Sequence, residues 1–287
     1  MSKNNIAIQW YPGHIAKAER ALTEQLKRVD VVFDVRDIRI PHATHHPNLD
    51  RWVGNRGRVL VLNRMDTVSR EIQQGWKQWF LDRGETPYLT NAKLGKGIAQ
   101  VQKAAIAAGA PMNEKRRSRG MLPRPVRAVV VGFPNVGKSA LINRLLKRKV
   151  VESAARPGVT RQLRWIKISP EIELLDAPGV IPSLLENQDN AVKLAICDDI
   201  GSASYDNQRV AIGLLEHLEE LSEQINSWEK LRSRYEIDPA GYSSEDYLHA
   251  LAKEKHLGDL ERAACQLLSD FRKGNLGALP LELPPQF

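Results

Sequence analysis

The feature of this sequence that most limits its fold is the octapeptide GFPNVGKS, which runs from Gly132 to Ser139. An apolar run precedes it and an amphipathic stretch follows it, so this context predicts a strand, a tight loop and a helix. The glycines let the loop turn its N–H groups toward phosphate oxygens, and the helix N-terminus adds partial positive charge. In such a loop Lys138 neutralises the β and γ phosphates, and the Ser139 hydroxyl binds Mg²⁺. The octapeptide therefore predicts a nucleoside triphosphate site, with contacts from Asn135, Val136, Gly137, Lys138, Ser139 and Ala140.

The rest of the chain predicts two domains of different class. Up to residue 182, short β-branched runs alternate with amphipathic helical stretches, a pattern typical of an α/β fold with a parallel sheet. Within this part, residues 110–125 contain three prolines and five Lys/Arg, which predicts a basic linker or exposed loop after a helix that ends near Gly109. From residue 183 onward only helical patterns remain. We therefore expect a nucleotide-binding domain over residues 1–182 and an all-helical domain over residues 183–287.

Charge is divided unevenly between these two parts. Residues 1–182 carry 32 Lys+Arg against 15 Asp+Glu, whereas residues 183–287 carry 10 against 19. The basic excess in the first part favours a polyanionic partner such as nucleic acid. No apolar run is long enough to cross a membrane, and the first residues lack a secretion signal. We expect a cytoplasmic protein without a membrane partner.

Three further segments favour GTP over ATP. Asp176 follows the apolar run IELL, where it can hold Mg²⁺ through water, and Gly179 can donate its N–H to the γ-phosphate. Thr160 lies between the phosphate loop and that run, where a switch threonine can close over Mg²⁺ and the γ-phosphate. The tetrapeptide Asn63-Arg-Met-Asp66 resembles the guanine-reading N-K-x-D. A carboxylate accepts two hydrogen bonds from guanine and none of that kind from adenine, which argues against an ATPase.

The order of these motifs is informative. In an ordinary GTPase the phosphate loop comes first, whereas here NRMD (63–66) and TNAK (90–93) precede it, as in a circularly permuted GTPase. Together with IQWYPGHIAKA near the start, DIRIP (37–41), RPGVT, ELLDAPG and the helical tail, these motifs resemble the ribosome biogenesis GTPase A family over essentially the whole chain.

This resemblance implies the fold and the partners. It implies a circularly permuted P-loop GTPase domain with a parallel-type sheet, followed by a small all-helical C-terminal domain. It also implies binding of GTP and GDP, and a late assembly step on the precursor of the large ribosomal subunit, with contacts to its rRNA. Arg64 then stands where the family has lysine beside the base, and Ala92 and Lys93 correspond to the family's S-A-K base contacts. For the acidic tail we expect RNA contact only through a local patch, Lys230, Arg232 and Arg234.

The hydrolytic machinery is less conventional. Val180 occupies the position where many GTPases carry a glutamine that orients the attacking water, so we expect slow intrinsic turnover. The resemblance suggests His14 as the group that orients or deprotonates water, acting with Lys138, Thr160 and Gly179; the alternative is that His14 caps a helix or touches RNA. Asn135 is either a K⁺ ligand near the β/γ bridge or a packing residue of the loop.

Two further interpretations concern the histidine-containing segment PHATHHP and the function of the chain. His42, His45 and His46 lie in PHATHHP without carboxylates or cysteines at ligand spacing, so we interpret this segment as an exposed loop rather than a metal site. The alternative function is an RNA-binding module whose nucleotide site only gates affinity, with negligible hydrolysis.

Overall fold

The computed structural model describes residues 22–147, 164–176, 187–200 and 205–285, with only the backbone described at Arg164 and Asp176. A six-stranded sheet forms the centre of the first domain, in the order β3-β2-β1-β4-β6-β5. The strands are β1 (Val31–Asp37), β2 (Gly57–Asn63), β3 (Pro87–Leu89), β4 (Val126–Val131), β5 (Arg164–Ser169) and β6 (Ile172–Asp176). All neighbouring strands are parallel except β5 and β6. These two are joined by only two residues, which suffices for an antiparallel hairpin but not for a parallel crossover.

Helices cover the sheet and build the second domain. Those of the first domain are α1 (Leu49–Val53), α2 (Arg70–Leu81), α3 (Ile98–Ser118) and α4 (Lys138–Leu145). Those of the second are α5 (Gln188–Ile196), α6 (Asn207–Glu220), α7 (Ser222–Ile225), α8 (Ser227–Tyr235), α9 (Ser244–His256) and α10 (Leu260–Lys273). One hydrophobic cluster joins the sheet, α2 to α4 and the C-terminal helices, and a second packs helical residues 22–26 and α1 against β1 and β4. No helix in the described ranges has the length and apolarity to cross a bilayer.

The prediction that the helix ends near Gly109 is wrong, because α3 continues through Pro111 to Ser118. Tight packing holds this part of the helix on the sheet: a Cβ at Gly109 would lie 2.5 Å from the side chain of Val126 in β4. The chain after the helix returns to Asn113, whose Nδ2 donates to the Arg124 carbonyl and whose Oδ1 accepts from the Arg124 N–H. Tertiary packing therefore outweighs the hydrogen bond that the proline removes. Only the segment after Ser118 is irregular.

Strand β1 is central, and all seven of its residues are buried, including charged ones. Asp34 Oδ2 accepts hydrogen bonds from Arg36 Nε at 3.0 Å and from Arg58 NH2 at 2.8 Å. Burial alone would raise the pKa of Asp34, but the guanidinium groups of Arg36 and Arg58 outweigh burial and lower it. Buried charges are tolerated in this strand because each one is paired.

We predict that Asp34→Asn lowers the free energy of unfolding by about 3 kcal/mol, because it leaves two guanidinium groups without their buried partner. Because the pKa of Asp34 is lowered by folding, its ionised form stabilises the native state above about pH 4, and that stabilisation is lost as pH falls through the folded pKa. Urea unfolding between pH 3 and 7 tests both points. The control is Glu24→Gln, which breaks an ion pair that is 67% exposed on both sides and should leave stability unchanged. Equal effects of the two variants would contradict the prediction.

Candidate functional site

The predicted phosphate loop lies between β4 and α4 and has the backbone such a loop needs. Gly132 and Gly137 have φ of 154° and 102°, and Asn135 is left-handed with φ of 56°. A Cβ at Gly132 would collide with the Val35 carbonyl of β1, and one at Gly137 would collide with the side-chain amide of Asn63. Glycine is therefore required at both positions. The buried Lys138 donates from Nζ to the carbonyls of Gly132 and Phe133.

Asn63, at the end of β2, joins this loop to the predicted base-reading segments. Its Nδ2 donates to the Val136 carbonyl at 2.7 Å, so it fixes the phosphate loop. Its Oδ1 accepts from Thr90 Oγ1 at 3.1 Å and from the Ala92 N–H at 3.0 Å. The side chain is 4% exposed. The phosphate loop lies some 70 residues from Asn63 in the sequence, and the TNAK segment some 30 residues. Both thus meet at one amide group, as expected if both serve one ligand.

The segment TNAK is fixed from a second side by α4. Arg144 Nε donates to the Ala92 carbonyl at 3.2 Å, and its NH2 donates to the Lys93 carbonyl. Ala92 is buried, whereas Lys93 is exposed. The helix that begins at the phosphate loop therefore also orients the backbone that we expect beside the base.

The other predicted contacts lie around the same edge of the sheet. Asp66 lies in the 3₁₀ turn Met65–Thr67, is exposed, and forms no hydrogen bond or ion pair with the described residues. Ser139 and Ala140 are half-buried in the first turn of α4. The backbone of Asp176 ends β6 beside β4, at the same end as the phosphate loop. His14, Thr160 and Gly179 lie outside the described residues.

Arg64 takes a position that the sequence does not suggest. It is left-handed, with φ of 64°, and its guanidinium lies against the phosphate loop. Its NH2 donates to the Asn135 carbonyl at 2.6 Å, and its Nε lies 3.3 Å from Asp37 Oδ2 at the end of β1. The same NH2 lies 3.8 Å from Asp199 Oδ1 in the C-terminal domain. One side chain therefore contacts three segments of the chain.

The two carboxyl groups beside Arg64 differ in their surroundings. Asp37 Oδ2 also accepts a hydrogen bond from Arg39 NH2 at 2.6 Å. Burial would raise the pKa of Asp37, but Arg39 and Arg64 outweigh burial and lower it. Asp199 is fully buried, and neither carboxyl oxygen has a hydrogen-bond partner in the described part of the chain. Burial and the charge of Asp37 raise the pKa of Asp199 well above its usual range. Asp37 is thus the ionised member of this cluster.

Asp37, Cys197 and Asp199 lie close enough together to suggest a metal site. The guanidinium groups of Arg39 and Arg64 already contact this cluster, however, and bring two positive charges to it. A cation would have to displace them at an electrostatic cost. We interpret the cluster as a buried ion-pair network.

The prediction that PHATHHP is an exposed loop is wrong for His46. Its ring is 1% exposed and packs against Trp52 with 4.2 Å between ring centroids. His45 Nδ1 lies 2.6 Å from Arg36 NH2. Burial lowers the pKa of both histidines to about 4, so both are neutral at pH 7. Apolar packing by histidine has no sequence signal that distinguishes it from a loop.

Sequence reasoning missed three residues of this site. Thr90 and Arg144 hold the base-side loop, and Asp199 comes from the helical domain. Thr90 begins the TNAK segment, so its position could have suggested a role. Arg144 and Asp199 act through contacts more than 50 residues away in the sequence, which a single sequence does not reveal.

We predict that Asn63→Ala lowers the free energy of unfolding by about 2 to 4 kcal/mol, because it leaves the Val136 carbonyl and the Ala92 N–H unpaired in a buried position. Thr90→Val is the matched control, since it removes only one of the hydrogen bonds of Asn63 and should cost about 1 kcal/mol. Urea unfolding measures both, and hydrogen exchange at Ala92 reports the local opening. A loss no larger in Asn63→Ala than in Thr90→Val would count against a joining role for Asn63.

Known proteins match both the fold and the sequence. The family model described as "50S ribosome-binding GTPase" matches residues 127–237. The GDP-bound structure of YlqF superposes with a TM-score of 0.66 at 22% identity, covering 92% of this chain and 99% of that one. The GNP-bound YlqF from T. maritima gives 0.63 at 23% identity, covering 94% and 99%. At these identities the two structures establish the fold.

Curated relatives establish the family. The ribosome biogenesis GTPase A of Bacillus cereus is 33% identical over 98% of this chain and 96% of its own length. That of Bacillus licheniformis is 33% identical over 97% and 99%, and that of Thermotoga maritima is 26% identical over 96% and 95%. With NRMD and TNAK, the segments expected to read the base, placed before its phosphate loop, the chain is a circularly permuted GTPase that belongs to the ribosome biogenesis GTPase A family.

Proposed function

We propose that this protein hydrolyses GTP while bound to a precursor of the large ribosomal subunit, and that it promotes late maturation of that subunit in the cytoplasm. The observation that carries the nucleotide part is the direct bonding of Asn63 and Arg64 to the phosphate loop. Asp66 follows Arg64 by two positions, so its exposed carboxylate belongs to the segment that is bonded to this loop. The relatives' name and the family model's description support the ribosomal part.

Each phosphate-side residue has a distinct role in this proposal. The N–H groups from Asn135 to Ala140 face the phosphates, and Lys138 neutralises the β and γ oxygens. Mg²⁺ would neutralise charge on the β and γ phosphates, and the half-buried Ser139 hydroxyl at the start of α4 suits it as a ligand. Ser139 would hold the ion, with Asp176 acting through water. Thr160 and Gly179, outside the described residues, would complete the γ-phosphate contacts.

On the base side, Asp66 accepts the guanine N1–H and amino hydrogens. Ala92 and Lys93 lie on a backbone fixed by Asn63 and Arg144, which suits a loop that contacts the base edge. The stem of Arg64 packs beside the ring, while its guanidinium remains on the phosphate loop. Base and phosphate recognition are therefore joined mechanically.

Hydrolysis by the protein alone is slow in this proposal. Val180 cannot orient the attacking water, so His14 supplies that function in the complex with the subunit. The Oδ1 of Asn135 forms no hydrogen bond with the described residues and can ligate K⁺ near the β/γ bridge. Such an ion would supply the charge that an arginine finger brings elsewhere.

The RNA-binding surface that we propose is the end of α3. Lys115, Arg117 and Arg119 are exposed there, beside Leu122, which is 83% exposed. This end of α3 leads into the N-terminal end of β4, whereas the phosphate loop follows the C-terminal end of that strand. RNA and nucleotide can therefore bind at the same time.

The patch expected in the tail is a poorer candidate for RNA binding. Arg232 pairs with Glu229 and Asp238, and Arg234 pairs with the buried Asp270. Lys230 donates from Nζ to the Ala278 carbonyl. Acidic partners already neutralise the two arginines, so this patch offers little to phosphates.

An RNA-binding module with negligible hydrolysis is the second candidate. The apolar side chain of Val180 favours it, because no group at that position can assist water. Phosphate release measured with and without large subunits separates the two candidates.

We predict that Asp66→Asn weakens GTP binding at least tenfold and improves binding of xanthosine triphosphate, whose ring offers the reverse hydrogen-bonding pattern. Fluorescence titration with GTP and with xanthosine triphosphate measures the two affinities. Asp82→Asn, an exposed residue at the end of α2, serves as control and should bind like wild type. Unchanged guanine selectivity in Asp66→Asn would remove the base-reading assignment.

We predict that large ribosomal subunits raise GTP hydrolysis, because His14 assists the attacking water only in the complex. His14→Ala should lose most of the stimulation and still pellet with subunits in the presence of a GTP analogue. The triple variant Lys115→Ala, Arg117→Ala, Arg119→Ala should pellet weakly, with a log–log salt slope smaller by about 2 to 3. Arg232→Ala is the matched control and should pellet normally.

Two outcomes would contradict this proposal. Absence of stimulation in the wild-type protein would argue against the ribosomal assignment. Normal pelleting of the triple variant would place the RNA-binding surface elsewhere.

A further inference from the structure

The phosphate loop is bonded directly to the C-terminal helical domain. Asn135 Nδ2 donates to the Asp198 carbonyl at 2.7 Å, across 63 residues of sequence. The adjacent Asp199 faces Arg64, which itself donates to the Asn135 carbonyl. The loop residue is therefore held through its side chain by Asp198 and through its carbonyl by Arg64.

The Asp198 carbonyl is a rigid partner because it belongs to the end of α5. The Asp198 N–H donates to Ala195 and the Asp199 N–H to Leu194, so the chain closes tightly over the end of the helix. Asp198 is itself left-handed, with φ of 62°. A displacement of the loop at Asn135 would thus be passed to α5 as a whole rather than absorbed in a loose connection.

The end of α5 is in turn fixed to the last helix. Arg272 of α10 donates from Nε to the Ile196 carbonyl and from NH2 to the Ala195 carbonyl, both at 2.9 Å. Arg39, next to β1, donates to the Cys197 carbonyl at 3.4 Å. The contact between loop and α5 is therefore continuous with the packing of the helical domain.

Asp199 indicates that this contact is kept for more than stability. A fully buried carboxyl group without a hydrogen-bond partner in the described residues costs free energy, and an apolar residue would remove that cost. Asp199 lies 3.8 Å from Arg64, which places a polar group of the helical domain next to the side chain that holds the loop. Such costly buried groups concentrate where a protein functions.

We propose that Asn135 and Arg64 are positioning residues that couple the phosphate loop to the C-terminal domain, so that nucleotide bound at the loop stabilises α5 and its connection to α10. The coupling rests on the nucleotide site proposed above, and not on the ribosomal assignment. Because coupling between two sites is reciprocal, a partner that holds the helical domain also changes the affinity for nucleotide. The helical domain thereby senses the nucleotide without a contact to it.

Hydrogen exchange of the full chain, with and without saturating GDP, tests the coupling. In the wild-type protein we expect GDP to slow exchange of amides in residues 188–200 at least threefold. The variant Asn135→Gly, Arg64→Met removes both connections; glycine keeps the left-handed backbone, and methionine keeps an unbranched apolar stem. At GDP concentrations that saturate this variant, as judged by fluorescence titration, the slowing in residues 188–200 should disappear while protection around residues 132–140 remains.

The control is Asp198→Asn, which changes the neighbouring carboxylate and keeps the carbonyl that Asn135 contacts. GDP should still slow amide exchange in residues 188–200 of this variant. That result separates the coupling from a general effect of losing a charge. The inference is overturned if GDP protects residues 132–140 of the wild-type protein and leaves residues 188–200 unchanged, or if the double variant retains the slowing. Absence of GDP binding to the wild-type protein would instead overturn the nucleotide site itself.

Discussion

Neutralisation of the buried Asp37 carboxylate is the interaction on which the functional edge of this protein depends. Asp37 ends the central strand, where a charge without a partner would be strongly unfavourable. Arg39 and Arg64 supply the partners, and each has a second task. Arg39 reaches the Cys197 carbonyl of the helical domain, whereas Arg64 holds the phosphate loop at Asn135. One carboxylate thus fixes the relative positions of the sheet, the phosphate loop and the second domain.

The fold class and the phosphate loop could be predicted because their signals are local. Gly132 and Gly137 are required by backbone geometry within eight residues, and the flanking strand and helix have their own patterns. The alternation of strands and helices from β1 to β6 follows from hydrophobic periodicity in the same way. The antiparallel β5 and the continuation of α3 past Pro111 were not predicted. The antiparallel pair follows from the two-residue connection between β5 and β6, whereas the longer helix depends on tertiary contacts such as that of Gly109 with Val126.

The second half of the candidate site could not be predicted because its members meet through distant contacts. The sequence shows that Arg64 replaces the lysine of N-K-x-D. It does not show that Arg64 bonds with Asp37 and Asn135, because that depends on how all three residues are placed in the fold. Asp199 lies in the segment CDDI, which resembles any acidic turn after a helix. Proteins commonly place groups that oppose simple sequence rules at functional sites. The buried carboxyl of Asp199, which lacks a hydrogen-bond partner among the described residues, fits this pattern.

The order of strands in the sheet has a consequence for folding during synthesis. The strands β1, β2 and β3 are neighbours in the sheet and are complete by residue 89, and their paired residues lie 26 or 27 positions apart, whereas β1 and β4 pair across 97. Shorter loops cost less entropy to close, and domains generally begin to fold from the N-terminal side as the chain emerges. The segments at residues 63–66 and 90–93 can therefore reach their places before residues 126–131 leave the ribosome. The nucleotide site is completed by β4 and its loop adding to a preformed edge, which reverses the order in which an unpermuted GTPase builds the same pocket.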